Sequence, residues 1–262
     1  MRMRKLSLCA VCGLLFLPAG AIAQVVTVSV TNNQPMGGMT FSPLWNAFHD
    51  GSFDAFDVGA MASQGVEDIA ELGNGTQLGV ELGAAGVANT LASPSGPPPF
   101  TPGQTNSMNI NVGDPTVNRY FSYGAMVVPS NDLFLGNEGA TDIEVFDAGG
   151  NFLGPITIMV FGSDIWDAGT EVNDFDDGAA FIDGSNATLG TSEGGTVQSF
   201  FSLAGATAYM MDLNGRQTPL YTLNDPLESG DLVATITITP EPASIAMLAI
   251  GGIALVTRRR TR

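Results

Sequence analysis

Residues 162–178 read GSDIWDAGTEVNDFDDG, a stretch holding six carboxylates (Asp164, Asp167, Glu171, Asp174, Asp176 and Asp177) and no Lys, Arg or His. Like charges at this density repel one another. The stretch is therefore either a solvated acidic turn or a loop that receives a cation the chain itself does not supply. Calcium suits such a set, because it takes about six to eight oxygens at ~2.3–2.6 Å from carboxylates, carbonyls and water. Asp167 and Glu171 bracket Ala-Gly-Thr, a tight turn able to bring two side chains together at the end of a strand. The EF-hand pattern fails here: with Gly178 as the loop glycine, the third ligand position falls on Phe175. Asp174, Asp176 and Asp177 read as solvated charge or outer electrostatics, and Asn173 as readily a turn former as a ligand. Trp166 reads as a packing residue, because an indole buries a large area, and His49 as a hydrogen-bonded structural residue rather than a ligand.

Other chemistry is scarce. His49 is the one histidine and Lys5 the last lysine, and no G-x-S-x-G elbow is present, so a Ser-His-Asp hydrolase is not indicated. No His or Cys cluster offers a zinc site, and no glycine motif joins a strand to a helix as a phosphate cradle. Carboxylate pairs could run glycoside hydrolysis, but nothing selects one pair, and the aromatic sugar platform is thin, with only Trp45 and Trp166. The chain reads as non-enzymatic.

The two ends direct traffic. Arg2, Arg4 and Lys5 precede a short apolar run at 6–17, and Ala21 and Ala23 form an A-x-A site before Gln24, as in a secretory signal peptide spanning 1–23. Cys9 and Cys12 leave with it, so the mature domain has no disulfide, thiol nucleophile or Cys-based metal site. At the other end, Pro-Glu-Pro at 240–242 precedes an apolar run at 243–256 and then Arg258, Arg259, Arg260 and Arg262. A helix over that run would reach roughly 21 Å, short of the ~30 Å hydrocarbon core, unless Thr257 and snorkelling arginines extend it. The arginines would keep its end cytoplasmic and the main domain outside. A permanent anchor is one reading. The order of the three parts resembles the PEP-CTERM sorting signal of bacteria, which implies a transient membrane tether through 243–257, cut by an exosortase-type protease near the PEP motif. The product would be released to the cell surface or an exopolysaccharide matrix.

Between the ends lie two bases, Arg119 and Arg216, against 25 of the 26 acids, a net of about −23. That surface excludes nucleic acid as a partner and disfavours an anionic lipid surface. Divalent cations are its natural counter-charge, although acidity for solubility alone also accounts for it. With roughly 215 residues, the mature chain can bury one sizeable core without staples.

The elements that must position the carboxylates read as strands. Residues 25–31 (VVTVSVT) alternate, with Val26, Val28 and Val30 on one face. Further strands are expected at 108–112, 120–128, 142–146, 155–161, 196–203, 206–213 and 232–239. One helix is expected over 63–73, from Ser63 to a Gly73 stop. The Pro/Gly/Ser loop at 92–104 cannot enter a central strand. Many short strands with Gly-rich turns indicate one all-β, antiparallel β-sandwich domain with one short helix and long loops, over 24–239, followed by the sorting segment at 240–262.

DAGTE at 167–171, PSNDLFLGN at 129–137 and FSPLWNAFHDGSFDAFDVGAMAS at 41–63 together resemble the spondin N-terminal domain family over roughly 25–239. Pro129, Ser130 and Asp132 match the family's upstream segment, with Leu133 where animal members carry Trp. Asp167, Ala168, Gly169 and Thr170 match the downstream one, with Glu171 in place of Asp. The resemblance implies a C2-like antiparallel sandwich binding calcium through loop carboxylates at one end, and nominates Asp132, Asp167 and Glu171 as ligands. The cysteines of the animal domains are lacking, so packing, calcium or both must replace their contribution. The expected function is a secreted or cell-surface calcium-binding module for adhesion or matrix association, with an extracellular polysaccharide or surface protein as partner. The alternative is a carbohydrate-active enzyme or lectin-like protein of the exopolysaccharide.

Overall fold

The computed structural model describes residues 24–94, 99–184 and 190–241. In chain order its strands begin with β1 Val25–Asn32, β2 Thr40–Phe41, β3 Leu44–His49, β4 Gly86–Leu91, β5 Thr105–Asn111 and β6 Tyr120–Val128. They continue with β7 Leu133–Gly136, β8 Ile156–Phe161, β9 Ile165–Asp167, β10 Gln198–Ser199 and β11 Leu232–Pro240, and the helices are α1 Gln64–Leu72, α2 Thr76–Leu82 and α3 Ala206–Asp212.

Two antiparallel sheets form the expected sandwich. The smaller has the order β5-β1-β11-β8; the larger runs β10-β9-β7-β6-β3-β4, with β2 on the end of β6. The period-2 pattern of β1 sends Val26, Val28 and Val30 inward, each fully buried, where with Ile236 and Ile238 of β11 they join Phe41, Phe48 and Phe121 from the other sheet. A second cluster lies on the far face of the larger sheet, where Val66, Ile69 and Leu78 from α1 and α2 cover Trp45, Ala47 and Phe134.

That second layer explains why two strands, β3 and β7, carry no alternation in the sequence. β3 (LWNAFH) is buried at all six positions, so it lacks the alternation that marks a half-solvated strand. β7, which begins just after Asp132, is likewise wholly buried and four residues long.

The expected helix is present. Ser63 caps it, its hydroxyl accepting from the Val66 N–H at 3.2 Å, and Gly73 ends it in the left-handed region at φ 64°. Three expected strands differ. Residues 206–212 form α3, because Ala206, Met210 and the capping Leu213 bury one face at helical spacing after Gly205 turns the chain at φ 95°. Residues 142–146 contribute single bridges, Tyr120 to Glu144 and Phe146 to Phe152. Residues 196–203 hold only β10 before a 3-10 turn at Phe200–Ser202. The expected signal peptide at 1–23 and the apolar run at 243–257 lie outside the described residues. Among the described residues no helix is long and apolar enough to cross a membrane.

Candidate metal centre

The β6–β7 turn and the segment after β9 meet at one rim of the larger sheet. Ser130 closes the turn: its hydroxyl donates to the Val127 carbonyl at 2.6 Å and accepts from the Leu133 N–H at 3.2 Å. β7 and β9 pair with Leu133 opposite Asp167, and the Ala168 N–H donates to the Asp132 carbonyl at 3.2 Å. Asp132 therefore sits inside the 167–171 bend. Its Oδ2 accepts from the Thr170 N–H at 2.8 Å, the Thr170 hydroxyl at 3.2 Å and the Glu171 N–H at 3.0 Å. Gly169 makes the bend possible. Its φ is +67°, and a Cβ there would stand 2.6 Å from the Thr196 nitrogen.

All three nominated residues are buried, at 0 % exposure for Asp132 and 3 % for Asp167 and Glu171. Asp167 accepts from the Gly169 N–H at 2.8 Å through Oδ1 and from the Asn173 amide at 2.5 Å through Oδ2. Glu171 turns its Oε1 to the Gly190 N–H. Burial raises the pKa of all three carboxyls, and the neighbouring Asp167 charge raises that of Asp132 further. Glu71 of α1, also buried, is pushed up to about 7 by burial first, the Glu171 charge adding to it and a Thr170 hydrogen bond opposing it.

Among the described residues no base pairs with these carboxylates. Arg119 pairs with Glu144, and Arg216 gathers Asp176, Asp183 and Asp212 beneath the Phe175 ring. The outer acids of the stretch are thus partly structural rather than merely solvated. Asp164 accepts from the Phe161 N–H at 2.9 Å, and Asp177 from the Thr191 hydroxyl at 2.7 Å. Replacing Arg216 with Ala leaves three carboxylates facing one another. It is expected to cost about 1–2 kcal/mol, as for a charge network rather than a lone surface pair, with the loss shrinking in 1 M salt. Chemical denaturation at two salt concentrations measures it; an unchanged midpoint in both would refute the pinning role.

Among the described residues, three of the six buried side-chain polar atoms without a hydrogen-bond partner fall on these loops: Asp132 Oδ1, Glu171 Oε2 and Asn173 Oδ1. All three are oxygens, the donor type a hard cation takes. Among the described residues no three His, Cys, Asp or Glu side chains already converge as a metal group. The chemistry of these oxygens fits a hard cation that Asp132 and Asp167 would hold with Asn173 or main-chain oxygens, and Glu171 would have to turn from Gly190 to join them. A cleft of about 660 Å3 opens beside Asp167 and Asn173, floored by Phe175, Phe200 and Tyr209.

Sequence reasoning missed Asn131, which stitches the loops together. Its amide donates to the Asp177 carbonyl at 2.7 Å and its Oδ1 accepts from the Asp174 N–H at 3.1 Å and the Tyr209 hydroxyl at 2.9 Å. It also missed Glu71, whose helix shows no sign of facing the site. Trp166 packs on Phe56 and donates to the Gly136 carbonyl at 2.9 Å. His49 is fully buried, with Nε2 3.0 Å from the Ser122 hydroxyl and Nδ1 accepting from the Gly51 N–H at 3.2 Å, the structural role expected of it.

A family model described as Spondin_N matches residues 29–202, a range containing every residue of this rim named as a ligand, and one described as a PEP-CTERM protein-sorting motif matches residues 239–260. No curated protein matches the chain.

Proposed function

The chain belongs to the Spondin_N family and carries a PEP-CTERM sorting motif, and on that premise we propose that it is a non-enzymatic surface module whose rim loops bind calcium. The sorting motif marks an exported, membrane-processed surface protein. Removal of its tail falls to an exosortase-type protease.

The observation that carries the calcium reading is the set of buried, unpartnered oxygens on Asp132, Glu171 and Asn173, at a rim where no cationic side chain of the described residues pairs with them. An ionised carboxylate taken from water without a counter-charge is expensive. Asp132, Asp167 and Glu171 would hold the ion, and calcium's tolerance of mixed carboxylate, amide and water oxygens suits this uneven set. The ion supplies positive charge and nothing else. The protein does the rest: Ser130, Asn131 and Gly169 position the two loops, and Asp132 ties the bend through Thr170 and Glu171. With the rim charge neutralised, the loops form a stiff surface for contact with an extracellular polysaccharide or a surface protein.

Equilibrium dialysis against calcium tests the site directly. About one ion per chain is expected for the wild type, with at least a tenfold weaker affinity for Asp167→Asn. Equal uptake by the two proteins would refute the assignment.

A further inference from the structure

The sorting motif does not begin where the domain ends. β11 is an inner strand of the smaller sheet, paired with β1 from Asn32 opposite Ala234 to Val26 opposite Pro240, and with β8 as far as Ile238 opposite Ile156. The ladder then runs one residue further, the Glu241 N–H reaching the Val25 carbonyl at 3.4 Å. The Glu241 carboxylate accepts from the Asn109 amide at 2.8 Å, and Asn109 lies on β5, across β1. Two of the three residues of the Pro-Glu-Pro motif are therefore part of the sandwich.

Pro240 fits this position for a specific reason. Residues two apart on a strand point the same way, so with Glu241 bonded to Val25, the Pro240 nitrogen faces away from β1. On that side β8 has ended opposite Ile238, so a residue lacking an N–H breaks no ladder bond.

A protease must take the scissile bond in a segment that is not locked between neighbouring strands. Upstream of Pro240 the chain cannot supply one without stripping β11 from two neighbours and drawing Ile236 and Ile238, both fully buried, out of the core. We infer that the folded sandwich sets the upstream limit of processing: β11 withholds every bond through Pro240–Glu241, cleavage falls C-terminal to Glu241, and the mature chain keeps its strand complete. The inference rests on the reading that the sorting segment is removed. In the step itself, water adds to the carbonyl carbon of the cut bond. The amide nitrogen leaves as the amine of the released tail, and the mature chain ends in a new carboxylate. Only Pro242 separates Glu241 from the apolar run that begins at Ala243.

Two measurements decide it. Intact mass and C-terminal peptide analysis of the surface form, from cells making the full chain, should find an end at Glu241 or later. Hydrogen exchange on the uncut full chain in detergent should find amides at 234–239 slowed on the order of 100-fold or more against an unstructured peptide. A mature end at Pro240 or earlier overturns the inference, as does exchange over 234–239 at the unstructured rate. A surface form that keeps residues 242–262 overturns instead the processing it rests on, and with it the cleavage step.

Discussion

Calcium at about 100 times its Kd is expected to raise the melting temperature of the exported protein by about 5–10 °C. Binding at that excess stabilises by ~2.7 kcal/mol, and each kcal/mol is worth ~2–4 °C in a chain of this size. Asp132→Asn should abolish the rise while leaving the protein folded, because an amide oxygen still accepts from the Thr170 and Glu171 N–H groups that Asp132 Oδ2 now serves. In chelator at pH 8 this variant should melt no lower than the wild type, since it removes a buried charge that lacks a counter-ion. Thermal melts of both proteins with calcium and with chelator give all four numbers. An equal calcium response in the two, or no response in the wild type, would remove Asp132 from the site.

The second large effect is on pH. Asp132, Asp167 and Glu171 all have pKa values raised by burial, and Glu71 is raised to about 7. Each of these groups binds its proton more tightly in the folded chain than in the unfolded one. Between the ordinary carboxylate range and about 7 the folded state therefore holds the extra protons, and their contribution is full below that window and lost as pH rises through it. In chelator the protein should melt several degrees higher at pH 5 than at pH 8, the reverse of a domain held by ionised salt bridges. Calcium should close the gap from the alkaline side, because it binds the deprotonated form. Melts across pH 4–9 with and without calcium check this. Stability in chelator that climbs steadily from pH 5 to pH 8 would show that other groups dominate.

The two loops share their logic with the outer network around Arg216. In both places the chain crowds acids that only an added positive charge makes tolerable. Arg216 supplies that charge for Asp176, Asp183 and Asp212, whereas no basic side chain among the described residues pairs with Asp132 or Asp167. The contrast separates structural acids from candidate ligands more sharply than density along the sequence does, since Asp174, Asp176 and Asp177 are the densest run and none is buried.

The family, the sorting motif and the strands with one wet face were decided by local order along the chain. β1 and β11 and the capped helix α1 were legible because alternation, or a Ser63 and Gly73 pair, is written within a few neighbouring residues. The ligand set came from the short motifs around Asp132 and Asp167, not from the spacing of the acids. Only the tertiary structure could place Asp132 inside the 167–171 bend, because that meeting depends on the β7–β9 register between residues more than thirty positions apart. It alone brought Glu71 to the same rim, covered β3 on both faces so that its pattern vanished, and carried β11 on to Glu241. Pairing and two-sided burial arise between segments remote in sequence, and no local period records them.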